Sequence, residues 1–189
     1  PYTTLFRSAA ELPEALAAFD EAIALDPAYG LAHAKKARAL VAAASQMAGA
    51  EARDAYAAAD AAVAAAMRLA PEAASTRIAR GWLLMTRDLD WRGAQAEFER
   101  AVQVAPGDAD ALYQLGVARA SQGDLRQAVA LTRRALERDP LQALWYPWLA
   151  SYLMPLGELD GAEQAIGKAI ELQPQAVSNH ALLATAKLL

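Results

Sequence analysis

The sequence contains no cysteine, which excludes disulfide bonds and thiol chemistry. Histidine is almost as scarce: His33 and His180 are the two in the chain, and they stand near opposite ends. They are not expected to share a metal ion. There is no glycine-rich phosphate loop and no HExxH motif. The serines Ser8, Ser45, Ser75, Ser121, Ser151 and Ser178 have no histidine base placed beside them by any motif. Acidic pairs such as Glu97 and Glu99 read as solvated helix faces. No enzyme, no cofactor and no metal site is therefore expected. Long apolar runs are lacking too. The nearest, around Ala55–Leu69, is mostly alanine and is broken by Asp60 and Arg68, short of the roughly 18 apolar residues a membrane span needs. No signal peptide is recognisable. Positive charge is not in excess, since the formal net charge is -4. Binding to nucleic acid or to an anionic membrane is thus not expected. These features fit a cytoplasmic protein.

What the sequence has is alanine, roughly a quarter of its residues, the best helix former and small enough for close helix packing. No segment alternates at period two for long enough to suggest a sheet. Apolar helical segments end at Pro27, Pro71, Pro106, Pro140 and Pro174, the last four spaced by 35, 34 and 34 residues. The segments before them align as AAFDEAIALDP, AEFERAVQVAP, ALTRRALERDP and QAIGKAIELQP. Ala15, Ala59, Ala94, Ala128 and Ala162 share one position. Phe19, Val63, Phe98, Thr132 and Ile166 follow four residues later, then Ala22, Ala66, Ala101, Ala135 and Ala169 three later again. Offsets of four and three place all three positions on one helical face. The small residue reads as the crossing point of two helices.

The pattern predicts an all-α chain with helices over 11–25, 28–47, 50–69, 73–86, 91–104, 108–121, 125–138, 142–154, 159–172 and 176–188. Asp26 reads as an N-cap with Pro27 in the first helical turn. The stretch from Pro27 to Pro71 is 44 residues; its extra length is expected to extend both helices of one hairpin, which should protrude.

A period of about 34 residues resembles the tetratricopeptide repeat. Leu112, Leu115, Gly116 and Arg119 fall where that family has Trp, Leu, Gly and Tyr, and Tyr146, Leu149, Ala150 and Leu153 follow suit. Ile78, Gly81, Trp82 and Met85 match poorly in the preceding unit. The resemblance implies a right-handed α-solenoid of antiparallel helical hairpins. Residues 9–189 form the array, with units 9–27 (partial), 28–74 (long), 75–108, 109–142, 143–176 and 177–189 (partial). PYTTLFRS at 1–8 looks like a non-native translated sequencing-adapter tail. The chain begins with Pro1, so an upstream domain is expected to be missing.

Asp88, Asp90, Trp91, Ala94, Phe98, Arg100, Ala101, Val104 and Pro106 match a DxDWxxAxxxFxRAxxLxP signature. It resembles tetratricopeptide arrays attached to bacterial winged-helix regulators, adenylate cyclase domains or protein kinase domains. That implies a regulatory array and does not say which output domain accompanies it. Trp91 is expected to pack over the inter-repeat hinge.

The resemblance further implies that the first helix of each hairpin lines a concave binding surface. The positions it carries over are Thr76, Ala79, Leu83 and Thr86; Asp110, Tyr113, Val117 and Ala120; Leu144, Pro147, Ser151 and Met154; and Ser178 and Ala181. They lack the Lys and Asn of clamp-type domains that grip a terminal carboxylate, so an apolar peptide or partner segment fits better. The aromatic run LWYPWLASYLMP (Leu144–Pro155) reads either as an interface anchor or as packing near the end of the stack. Pro147 should hold the helix start near Leu144 or Trp145, or kink it. The candidate partner-binding residues are Tyr113, Val117, Leu144, Trp145, Trp148, Ser151 and Met154. The expected function is a protein–protein interaction scaffold or regulatory array. A small-ligand sensor on the same surface and an oligomerisation module are the alternatives. His33, Lys35, Lys36 and Arg38 form a basic patch that could serve instead; His180 is expected in a satisfied or half-buried packing role.

Overall fold

The computed structural model describes residues 12–188; the expectations for residues 1–8 lie outside the described residues. Among those described there are ten α-helices and no strand. They are α1 (Leu12–Leu25), α2 (Gly30–Ala44), α3 (Gly49–Leu69), α4 (Ala74–Thr86), α5 (Trp91–Val104), α6 (Ala109–Ser121), α7 (Leu125–Arg138), α8 (Trp145–Leu153), α9 (Leu159–Leu172) and α10 (Val177–Ala186). A single 3-10 turn, Met154–Leu156, follows α8. The helices fall into two compact units that part between Pro106 and Gly107. In the first, α2 pairs with α3 and α4 with α5, while α1 packs on α2 and α2 and α3 pack on α4. In the second, α6 pairs with α7 and α8 with α9, α7 packs on α8, and α10 packs on α9.

The small–large–small triad forms the seam of each hairpin. Ala59, Ala94, Ala128 and Ala162 are at most 1% exposed, and Val63, Phe98, Thr132 and Ile166 at most 6%. The facing helices are small at the same level. A Cβ on Gly116 would meet Thr132 Oγ1 at 3.0 Å and the Ala128 carbonyl at 3.3 Å, and one on Gly81 would meet Phe98 Cδ1 at 2.8 Å.

That equivalence of Gly81 and Gly116 corrects the register expected for the unit around α4. Its matching residues are Arg77, Arg80, Gly81 and Leu84, one position earlier than the sequence pattern suggested. The 35-residue spacing arises in the α4–α5 loop. A corresponding backbone hydrogen bond closes each of the three loops: Asp90 N to Leu84 O (2.9 Å), Asp124 N to Arg119 O (3.0 Å) and Glu158 N to Leu153 O (3.2 Å). The first closure spans one residue more than the other two. The residue before each of these donors has positive φ. It is glycine twice, Gly123 (83°) and Gly157 (76°), but Leu89 (54°) in the longer loop. A left-handed backbone costs a side-chain-bearing residue about 1–2 kcal/mol. Leu89 is 67% exposed, so it has little packing to lose. Leu89→Gly is expected to stabilise the chain by about 0.5–1 kcal/mol, after the added unfolded-state freedom is deducted. A denaturant midpoint that falls would contradict this account of the loop.

Two further expectations change. The prolines sit in turns ahead of the helices and do not start them. Tyr29 N bonds Asp26 O, Ala73 N bonds Ala70 O and Ala176 N bonds Gln173 O, each across a turn with proline at its second position. Asp26 Oδ1 accepts from Ala28 N in that turn, and the residue capping α2 is Tyr29. The long hairpin is extended chiefly on one side. α3 has 21 residues against 14 in α5, α7 and α9, whereas α2 has 15 against 13 in α4 and α6. The added turns at the start of α3 are mostly exposed.

One interaction repeats with the fold. The sixth residue after a turn proline sends a ring donor back to that proline's carbonyl: His33 to Pro27 (3.1 Å), Tyr146 to Pro140 (3.0 Å) and His180 to Pro174 (3.0 Å). His180 is exposed rather than half-buried, and its ring is satisfied by this hydrogen bond, the other form of the expected role. The same place after Pro71 holds Arg77, which is 6% exposed. Its guanidinium reaches Glu97 (3.2 Å) and Glu72 (2.9 Å), and Arg80 lies 3.5 Å from Glu97. Glu97 is therefore a buried, ion-paired residue rather than part of a solvated face. Trp91 opens α5, after the Asp90 side chain that caps it by accepting from Gly93 N, and is 45% exposed. The expected cover over Trp91 is thus partial.

Candidate peptide-binding face

The residues expected to bind a partner lie on α6 and α8, the first helices of the two hairpins of the second unit. Asp108 starts α6 by accepting from Ala111 N at 2.8 Å. α8 begins at Trp145, which makes Pro147 its third residue. At that position an amide N–H has no intrahelical acceptor, so proline costs no hydrogen bond. Pro155 lies in the 3-10 turn that ends the segment.

The aromatic cluster divides into a base and a rim. Tyr113 and Trp145 stack at 4.6 Å between ring centroids with 14° between planes. Each is 8% exposed, so the pair is a buried platform. Trp148 (52% exposed) and Leu144 (51%) stand out from α8, one helical turn apart. Leu141, in the turn before α8, adds a third exposed apolar side chain that sequence reasoning did not include. Trp148 leans on Tyr152 at 6.3 Å. Val117, Ser151 and Met154 are half-buried. The Ser151 hydroxyl donates to the Trp148 carbonyl at 2.7 Å.

The polar groups nearby are neutral or already engaged. Gln114 donates to Asp110 at 2.9 Å. The Gln114 Oε1 and Tyr152 hydroxyl atoms are buried without a hydrogen-bond partner. Burial pushes the Tyr113 phenol far above its ordinary range, with Tyr152 and Asp110 adding to the effect. Burial likewise pushes Tyr152 up to about 12. Both phenols stay protonated at neutral pH. An exposed Trp and Leu on a helix that is held by a buried aromatic stack can hold an apolar side chain of an extended segment.

The earlier positions behave differently. Thr76, Ala79 and Leu83 are at most 3% exposed, and Ala79 and Leu83 belong to a core with Ala34, Ala37, Val41 and Val63. Ala79 and Leu83 thus face α2 and α3, and none of the three buried residues lines an open surface. The basic patch on α2 is engaged within its own unit: Lys36 pairs with Asp20, Arg38 lies 5.7 Å over the Trp82 ring, and His33 holds Pro27. A hollow of about 480 Å³ lies between α7, α8 and α9, lined in part by Arg133, Tyr146, Lys168 and Glu171. A second, of about 430 Å³, adjoins it at Arg133 and Gly161. Neither includes Tyr113 or Trp148. Among the described residues no group of three or more His, Cys, Asp or Glu side chains is placed to hold a metal ion. No described helix is long and apolar enough to cross a membrane.

Hairpins in tandem around a small–large–small seam, with an aromatic rim, define a helical-repeat scaffold. More particularly, residues 87–152 and 146–176 match models of the tetratricopeptide repeat. It is similar to YrrB, described as a TPR protein with an unusual peptide-binding site, at 25% identity and a TM-score of 0.58, covering 95% of this chain and 85% of that one. TTC0263, a thermophilic TPR protein of Thermus thermophilus, has the same fold at 20% identity and a TM-score of 0.73 over 95% of this chain and 92% of its own. MamA aligns over 71% of this chain and 78% of its own at 22% identity, with a TM-score of 0.61. None of the curated proteins compared matches the sequence.

Proposed function

We propose that this interaction scaffold takes an extended, largely apolar peptide or partner segment on the α6–α8 face, with Trp148 and Leu144 as the outer anchors. The observation that carries the reading is the exposed Trp148, about one helical turn along α8 from Trp145 of the buried Tyr113–Trp145 stack. A large exposed aromatic next to a rigid base is the composition of an interface anchor. Val117, Ser151 and Met154 border the track. YrrB, whose description names a peptide-binding site, supports the assignment of a peptide as ligand. The Asp88–Pro106 signature supports a regulatory setting, in which an output domain such as a winged-helix or cyclase domain belongs to the same protein and the array works in the cytoplasm. In that reading residues 1–8 are foreign to the array.

A peptide selected from a displayed random library against this chain is the ligand with which to test it. Trp148→Ala is expected to weaken that peptide by more than about 1 kcal/mol, roughly fivefold or more in Kd, with helicity unchanged. Tyr113→Ala should weaken it as well, by removing the base. If Trp148→Ala and Met154→Lys bind normally while substitutions at Lys35, Lys36 and Arg38 abolish binding, the face is wrong and the α2 patch is the site. Calorimetry reads the affinities and circular dichroism the helicity.

A further inference from the structure

The larger hollow of the second unit, about 480 Å³, is walled by α7, α8 and α9, three consecutive helices of that unit. Its floor is apolar: Leu149, Leu153 and Ala165 are buried there beside the Tyr146 ring. Its rim carries two cations, Arg133 of α7 and Lys168 of α9, whose side chains are 50% and 59% exposed. The same place in the first unit is filled. Arg77, Arg80 and Glu97 stand there in the repeat where Tyr146, Leu149 and Ala165 stand here. The buried Glu97 carboxylate lies 3.2 Å from the Arg77 guanidinium and 3.5 Å from that of Arg80. The repeat thus already buries one carboxylate between cations at this place. In the second unit alanine removes the carboxylate, and the cations come from the rim instead.

The glycines of α9 keep the hollow open. At Gly81, Gly93 and Gly116 a Cβ would stand 2.4, 2.2 and 3.0 Å from a neighbouring atom, so close packing explains them. Gly161 and Gly167, both lining the hollow, have no such neighbour. A Cβ on Gly161 would lie 3.5 Å from Leu153 and 3.6 Å from the Arg133 guanidinium, and one on Gly167 would meet nothing within 4 Å. Glycine inside a helix is unfavourable relative to alanine, and alanine fits at both positions.

We propose that this hollow binds a small molecule with an apolar body and one carboxylate, the body resting on Tyr146, Leu149 and Ala165 and the carboxylate on Arg133 and Lys168. The volume falls within the range of about 300–1,000 Å³ usual for small-molecule sites. Each cation now holds a surface acid, Arg133 with Glu158 at 3.2 Å and Lys168 with Glu171 at 2.6 Å. The two acids are 49% and 65% exposed. Exposed pairs of this kind contribute little, so a ligand carboxylate can share or displace them.

Calorimetry of the full chain with octanoate tests this, with octanamide as the neutral counterpart. Octanoate is expected to bind saturably, one per chain, and octanamide at least about tenfold more weakly. Arg133→Gln with Lys168→Gln should raise the octanoate Kd by about tenfold or more. Ala165→Leu should abolish binding by filling the floor while the circular dichroism spectrum is kept, since Leu131 is buried at the same place of α7. Gly167→Ala should raise the melting temperature, as alanine favours the helix, and yet weaken octanoate by about threefold or more. A tripeptide ending in leucine offers the same chemistry from a chain terminus and should bind more weakly than octanoate. Absence of saturable binding, equal binding of octanamide, any of these variants binding as the parent does, or a tripeptide that binds more tightly would each overturn the proposal.

Discussion

Phe98→Ala should lower the stability of the chain by about 4 kcal/mol, within the range of about 3–5 that large aromatic deletions in packed cores produce. Phe98 is 0% exposed and is the largest fully buried side chain. Its ring lies against Gly81, close enough that a Cβ there would collide with three ring atoms. Opposite the deleted ring there is thus no side chain that could swing into the space. The cavity persists, and the cost should stand in the upper part of the range. The same contact predicts non-additivity. Gly81→Ala should be destabilising beside Phe98, where it overpacks the seam. In the Phe98→Ala background it should be tolerated, because the ring it collides with is gone. Denaturant unfolding of the two single variants and the double variant measures the coupling. Additive effects would mean that Gly81 and Phe98 do not share the seam.

Glu97→Ala is the second large effect, expected at about 3 kcal/mol. Removing one member of a buried ion pair leaves the other charge without compensation and typically costs about 3–5 kcal/mol. Arg77 keeps its contact with Glu72, a residue whose side chain is 75% exposed, which places the expectation at the lower end. Replacing both partners together, Arg77→Met with Glu97→Leu, should recover most of the loss, since no buried charge then remains. A double variant as unstable as Glu97→Ala would show that the cost comes from lost packing volume instead.

The seam was legible from the sequence because its signal repeats: the Ala–large–Ala triad recurs every 34 or so residues and is buried wherever both helices of a hairpin are present. The position of the extra residue in the 35-residue unit was not legible. A spacing between prolines says that one residue has been added but not where. The backbone hydrogen bond from Asp90 to Leu84 and the positive φ of Leu89 locate it. The Arg77–Glu97 pair left a trace that the pattern did contain. At the place of Glu97 the other hairpins have Ala62, Leu131 and Ala165, so a lone charge in an apolar column called for a partner. On the candidate face, Pro147 indicated the start of α8. The stacking of Tyr113 on Trp145 was hidden, because it joins two different hairpins and depends on how they pack. The division of the aromatics into buried Trp145 and exposed Trp148 follows from that packing and not from composition.

The tie between a ring and the preceding proline carbonyl uses histidine twice and tyrosine once. A carbonyl only accepts, so the imidazole must carry its proton on Nε2. That fixes the neutral tautomer and leaves Nδ1 as the basic nitrogen. The turns at Pro27 and Pro174 are therefore fastened by a ring whose donating edge the carbonyl dictates, and tyrosine, which also donates, serves the same turn at Pro140.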